Sequence, residues 1–419
     1  MDGEKLESGH LPAAELSGAL RSESRGASEL ACQGCGRGPV RIFHEVFDAP
    51  ANSCIQLDSP EQARAYPRGD IRLGFCGSCG FISNVAFDRR LTEYSARYEE
   101  TQGFSPTFNA FHRELALRLI ERHDLRGKDI IEIGCGKGEF LALLCDLGGN
   151  RGVGFDPGYL DGREGEHRSG RIRFVKDFYS ERYIEQRGDF ICCKMTLEHI
   201  HSTSDFVATV RRSIQPGAQS VVFFQVPEVT RILRECAFED IYYEHCSYFS
   251  PGSIARLFRR NGFEPVALTV EYGGQYLTIE ARPADDVRTS ASLAGEDDLP
   301  LLAELVESFP QRLAGKLDRW RSELAEIRRR GQRVVLWGSG SKGVSFLTTL
   351  DVGDQVEYVV DINPHRHGHF MPGTGQSIVA PEFLASYRPD VVVVMNALYV
   401  DEIRETLNGL GLAPLLLPL

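Results

Sequence analysis

The chain has 419 residues, of which 42% are hydrophobic, with a net charge of −12 and 11 cysteines. That length is too great for one core and predicts two or three domains. The acidic balance argues against nucleic acid or a membrane surface as the main partner, because both reward a basic surface, and no stretch is apolar enough to span a bilayer.

Residues 1–28 are rich in Ser, Gly, Ala, Glu and Arg and read as a disordered leader. They contain no secretory apolar run. Together with the odd cysteine count, this predicts reduced thiols and a cytoplasmic location.

A cysteine module follows over 29–95. Cys32-Gln33-Gly34-Cys35-Gly36 and Cys76-Gly77-Ser78-Cys79-Gly80 are two knuckles whose thiolates can face one ion, with glycines suited to the left-handed backbone that closes each knuckle. Four protein ligands and no open position predict a structural Zn2+ held by Cys32, Cys35, Cys76 and Cys79. Cys54, between the pairs, has no partner in the sequence pattern. Only short strand-like pieces, at 40–43 and 71–75, accompany the knuckles.

Strands and helices then alternate over 96–285. Helical spacing covers 108–123, a strand 129–133, a helix 138–147, strands 152–155, 190–193 and 219–225, a helix 253–261, and late strands 265–270 and 276–281. This order predicts an α/β fold with a doubly wound, mostly parallel Rossmann-like sheet. After a polar linker, 286–419 holds a helical connector with a break expected at Pro310, then a second Rossmann-like unit.

Two loops carry ligand chemistry. Glu132-Ile133-Gly134-Cys135-Gly136-Lys137-Gly138 follows a strand, but Glu139 replaces the third glycine of the dinucleotide fingerprint. Pyrophosphate disfavours an acid there. S-adenosylmethionine carries a sulfonium and an α-amino group instead, and Glu132 suits those cations. Asp156, ending the second strand, is expected to accept ribose hydroxyls, and Asp177-Phe178 to hold the adenine. The second loop, Gly338-Ser339-Gly340-Ser341-Lys342-Gly343 with Asp361 downstream, matches the dinucleotide fingerprint. NAD binding, in an oxidoreductase, is its alternative to a substrate-docking unit.

A third constellation joins Glu198-His199 to Tyr242-Tyr243-Glu244-His245. A neutral imidazole near a carboxylate is a general base at neutral pH.

The layout resembles the nucleotide-sugar C-methyltransferases. The resemblance rests on the two knuckles, Glu132 to Gly136, Tyr242 to Ser250, Gly273-Gly274, Gly338 to Gly343 and Asp361-Ile362-Asn363-Pro364. It implies a class I methyltransferase core between a zinc module and a C-methyltransferase C-terminal domain. It also implies that a nucleotide-linked keto-deoxysugar is methylated next to its ketone through an enolate. His245 would be the base, Glu244 and Tyr242 would orient it or the substrate, His199 would sit close by, and Tyr98 would line the pocket. The chain departs from the family at Tyr243, Gln275-Tyr276-Leu277 and Met395-Asn396. An RNA or other small-molecule methyltransferase, and a non-catalytic binding protein, remain as alternatives at this stage.

Overall fold

The apolar runs that end in glycine or an acid become the inner strands of a seven-stranded sheet. The computed structural model describes residues 31–162, 170–284 and 291–419; the expected leader lies outside them. Across this sheet the order is Phe263–Glu271, Tyr276–Pro283, Val221–Pro227, Phe190–Lys194, Asp129–Ile133, Arg151–Phe155 and Ile172–Val175. Tyr276–Pro283 runs antiparallel to both neighbours, while the other pairings are parallel. The first strand, Asp129–Ile133, sits between Arg151–Phe155 and Phe190–Lys194, so the order reverses there. A crevice opens at such a switch point.

The C-terminal unit is a five-stranded parallel sheet ordered Ser377–Val379, Tyr358–Val360, Val334–Trp337, Val391–Val394 and Leu415–Pro418. Near-continuous Val/Ile/Leu runs are what a sheet covered on both faces requires.

The cysteine module is larger than its sequence suggests. Val40–Pro50 pairs with Arg68–Cys76, which pairs with Ile82–Asn84. The fourth strand of this antiparallel sheet is Ser247–Tyr248, from the segment that carries His245. One apolar cluster continues through Ile71 and Leu73, Phe238 and Tyr248, Phe309 and Leu313, and Val334 and Phe346. The module therefore shares its core with the segment that carries His245 and with the C-terminal unit.

Pro310 does not break the connector. Leu299–Arg329 is one helix of 31 residues with Pro310 inside it. Proline removes one backbone hydrogen bond, but Phe309 and Leu313 on either side are buried in the shared core, and packing there overrides the local preference. Among the described residues no helix is long and apolar enough to cross a membrane.

Candidate active site

Each cysteine knuckle folds as its glycine requires. Gly36 and Gly80 take φ of +69° and +74°, and their N–H groups donate to the Cys32 and Cys76 carbonyls at 2.7 and 2.8 Å. Cys32 Sγ lies 3.7 Å from Cys79 Sγ, and Cys35 Sγ lies 3.7 Å from Cys76 Sγ. All four sulfurs fall within 4.8 Å of one another. A tetrahedral ion with metal–sulfur bonds of about 2.3 Å has sulfur–sulfur edges of about 3.8 Å, so the thiols are spaced for a metal.

The first glycine loop sits at the switch point. Gly134, Gly136 and Gly138 all have positive φ, and a Cβ on Gly134 would stand 2.0 Å from Thr196 Oγ1. Asp156 Oδ2 accepts the Gly136 N–H at 2.9 Å and Oδ1 the Gly158 N–H at 2.7 Å. A carboxylate has about four acceptor sites, so Asp156 keeps capacity for a ligand.

Glu132 differs from its expected position at the open turn. It shares the Ile130 face of its strand, under the helices Pro106–His123 and Glu139–Gly148, and is only 3% exposed. Its cationic neighbour is the buried Lys194, whose Nζ lies 2.9 Å from His112 Nε2 and 4.0 Å from the centre of the Phe140 ring. Burial pushes the Glu132 carboxyl up to about 8. Asp177 is also committed locally. It accepts Tyr183 Oη–H at 2.6 Å, Arg182 Nη1–H at 2.7 Å and the Phe178 N–H at 2.9 Å, and the Tyr183 hydroxyl holds its carboxyl below the usual range. Phe178 remains exposed, its ring edge-on to Tyr94.

The expected proton-transfer residues converge. The Tyr242 hydroxyl and His245 Nε2 are 2.7 Å apart, and the His199 and His245 rings 4.8 Å. Tyr94 Oη lies 3.0 Å from His199 Nδ1. Burial drives His245 well below the ordinary histidine value, assisted by His199 and Lys342, and takes His199 down to about 4. Both imidazoles are neutral at pH 7.

Glu244 does not face His245. Its Oε1 accepts from Asn52 Nδ2 at 2.7 Å and the Ser53 N–H at 3.0 Å, and its Oε2 from Ser53 Oγ at 2.8 Å and the Tyr98 hydroxyl at 3.1 Å. Tyr98 is thus drawn onto Glu244 and is not among the residues lining the cavity. The two form a brace between the cysteine module and the Tyr242–His245 segment.

About 1240 Å3 of empty space, open to solvent, connects this cluster to the second glycine loop. Tyr242, His245 and Glu100 line one side, and Gly338, Gly340 and Lys342 the other. Gly340 caps the helix Ser341–Leu350 without a side-chain bond, so the helix N-terminus opens here. Lys342 Nζ is 2.6 Å from both oxygens of Asp240. Asp361, the ribose acid of a dinucleotide site, accepts from the Ser339 N–H and hydroxyl and the Asn363 N–H, and it lines the cavity with about one acceptor site left.

Sequence reasoning missed Asn52, Ser53, Tyr94, Glu100 and Cys54. The last lines the cavity 3.7 Å from Ser341 Oγ. Nothing local marks these positions, because each acts on a partner far along the chain.

Residues 108–268 match a methyltransferase domain family and residues 276–411 the C-methyltransferase C-terminal domain family. The C-methyltransferase NovU of Streptomyces niveus is 27% identical over 314 residues, covering 70% of this chain and 72% of that protein. The chain is an S-adenosylmethionine-dependent C-methyltransferase. A shorter likeness, 29% over 135 residues, links this C-methyltransferase to the tRNA U34 carboxymethyltransferase of Campylobacter hominis, covering 30% of this chain and 47% of that protein. Among solved structures, 1,6-didemethyltoxoflavin-N1-methyltransferase of Burkholderia thailandensis aligns at 19% identity and a TM-score of 0.34, covering 44% of this chain and 83% of that one.

Proposed function

We propose that this C-methyltransferase methylates a carbon next to the ketone of a nucleotide-linked deoxysugar. The single observation that carries the reading is the continuous cavity between His245 and the second glycine loop. A nucleotide diphosphate suits a helix N-terminus beside Lys342, whose ammonium it would share with Asp240, and its sugar then extends toward the neutral imidazole.

His245 is the base. The substrate C–H breaks, its proton becomes an N–H of His245, and the electron pair stays on the substrate as an enolate. Tyr242 orients the imidazole. Gly134, Gly136, Gly138, Asp156 and Phe178 would hold the donor, with Glu132 contributing negative potential from beneath. S-adenosylmethionine supplies an electrophilic methyl group on a good leaving group, so alignment is the main demand on the protein. Zn2+ in the four-cysteine cage would be structural, and the reduced thiols suit a cytoplasmic protein.

The test is mass spectrometry with labelled S-adenosylmethionine and a panel of nucleotide 4-keto-deoxysugars in heavy water. A methyl gain in the product, with deuterium entering the α carbon of recovered unmethylated sugar, is expected, and Lys342→Gln should raise the acceptor KM about tenfold while leaving donor affinity intact. Methylation of RNA, or of no keto-sugar, would overturn the reading.

A further inference from the structure

The cavity region holds two buried glutamates in opposite states. Glu244 accepts four hydrogen bonds. Glu198 is 0% exposed, yet neither of its carboxylate oxygens has a hydrogen-bond partner among the described residues. It belongs to the turn Leu197–His199 that follows the strand Phe190–Lys194. Its backbone carbonyl accepts the Cys246 N–H at 2.9 Å, which fastens this turn to the catalytic segment. Its Oε1 then stands 3.9 Å from His245 Nε2.

A buried carboxylate without hydrogen bonds is costly. So is a buried imidazolium. Side by side they offset each other. Resting on the base role given to His245, we propose that Glu198 is the charge partner of that base, a positioning residue that steadies the imidazolium formed when the substrate proton is taken. No covalent bond to Glu198 forms or breaks. The C–H electron pair remains in the enolate, the proton resides on His245, and the Glu198 carboxylate balances the new charge.

The groups facing the pair are His199 on the same turn, Cys193 on the preceding strand, and Tyr242 and Cys246 on the catalytic segment. Tyr94, Tyr276 and Lys342 approach from three other elements. Burial pushes Glu198 up to about 8. Its carboxyl therefore ionises as pH rises through that point, and the proton affinity of His245 rises with it. Proton abstraction should climb with pH toward about 8. Glu100 and Glu132, pushed up to about 7 and about 8 by burial, titrate nearby but are not removed by a change at Glu198.

The experiment follows deuterium entry at the α carbon, from pH 6 to about 9, for whichever nucleotide 4-keto-deoxysugar the wild type methylates. It compares wild type, Glu198→Gln, Glu198→Asp and His245→Ala. Glu198→Gln should exchange about a hundredfold more slowly with KM little changed, and should lose the limb that rises toward pH 8. Glu198→Asp should recover part of both, and it carries the test if the glutamine variant does not fold. A Glu198→Gln profile that keeps the limb and the rate would overturn the proposal. So would a zinc ion bound by wild type beyond the cysteine cage and lost with Glu198, which would make the turn a metal site. Absence of exchange in wild type, or full exchange in His245→Ala, would instead refute the base assignment.

Discussion

Asn52 Nδ2 donates to Glu244 Oε1 at 2.7 Å across 192 positions of the chain. The bond joins a loop of the cysteine module to the residue before His245, so the first part of the chain takes part in placing that imidazole. Asn52→Ala leaves a buried carboxylate short of a donor, at a cost of about 1–3 kcal/mol. Chemical denaturation should show that loss, and turnover should fall while donor affinity holds. Unchanged stability and turnover would remove the brace from the account.

Metal removal should reach the reaction through the same module. A strong chelator, or Cys32→Ser with Cys35→Ser, is expected to lower Tm by about 5 °C or more. It should also reduce turnover, because Ser247–Tyr248 pairs with Ile82–Asn84 in the sheet of the second knuckle. Metal analysis should find one zinc per chain; a melting curve indifferent to chelation would contradict a structural ion.

Gly134→Ala combines a left-handed backbone at +67° with a Cβ 2.0 Å from Thr196 Oγ1. Calorimetry should show S-adenosylmethionine affinity reduced by about tenfold or more, on top of about 1–2 kcal/mol of backbone strain. Gly127→Ala is the control. Its φ is +66° but no atom lies within 4 Å of the added Cβ, so it should lose stability and keep affinity.

Pro310→Ala should stabilise the protein. The proline sits inside an unbroken helix, where it is less favourable than alanine by up to about 3 kcal/mol. Denaturation should register a gain with turnover unchanged; the ring is exposed and has little packing to forfeit, so a loss would contradict the expectation.

The inner parallel strands and both glycine loops were legible because each is encoded within a few residues: an apolar run, a glycine at a left-handed position, an acid at a strand end; the edge strands Ser377–Val379 and Leu415–Pro418 were not. The knuckles were legible for the same reason. The Pro310 helix was misjudged because local preference lost to the burial of Phe309 and Leu313 in a core shared by three parts of the chain. Glu132 was expected at an open turn and is buried under two helices, since strand alternation gives a face but does not say which layer covers that face. Glu198 was read only as a neighbour of His199. Its place beside His245 depends on the Cys246–Glu198 backbone bond between distant segments, which no spacing rule reveals.

The two-residue strand Ser247–Tyr248 bears on how such enzymes can be recombined. Its hydrogen-bond partners belong to the cysteine hairpins, and Tyr248 lies in the core they share. A chimera that imports only the catalytic segment from another parent must therefore dock a foreign edge onto a native sheet. Grafts that move residues 31–98 and 240–250 together keep that seam matched, so acceptor preference should travel with the pair of segments and not with either alone.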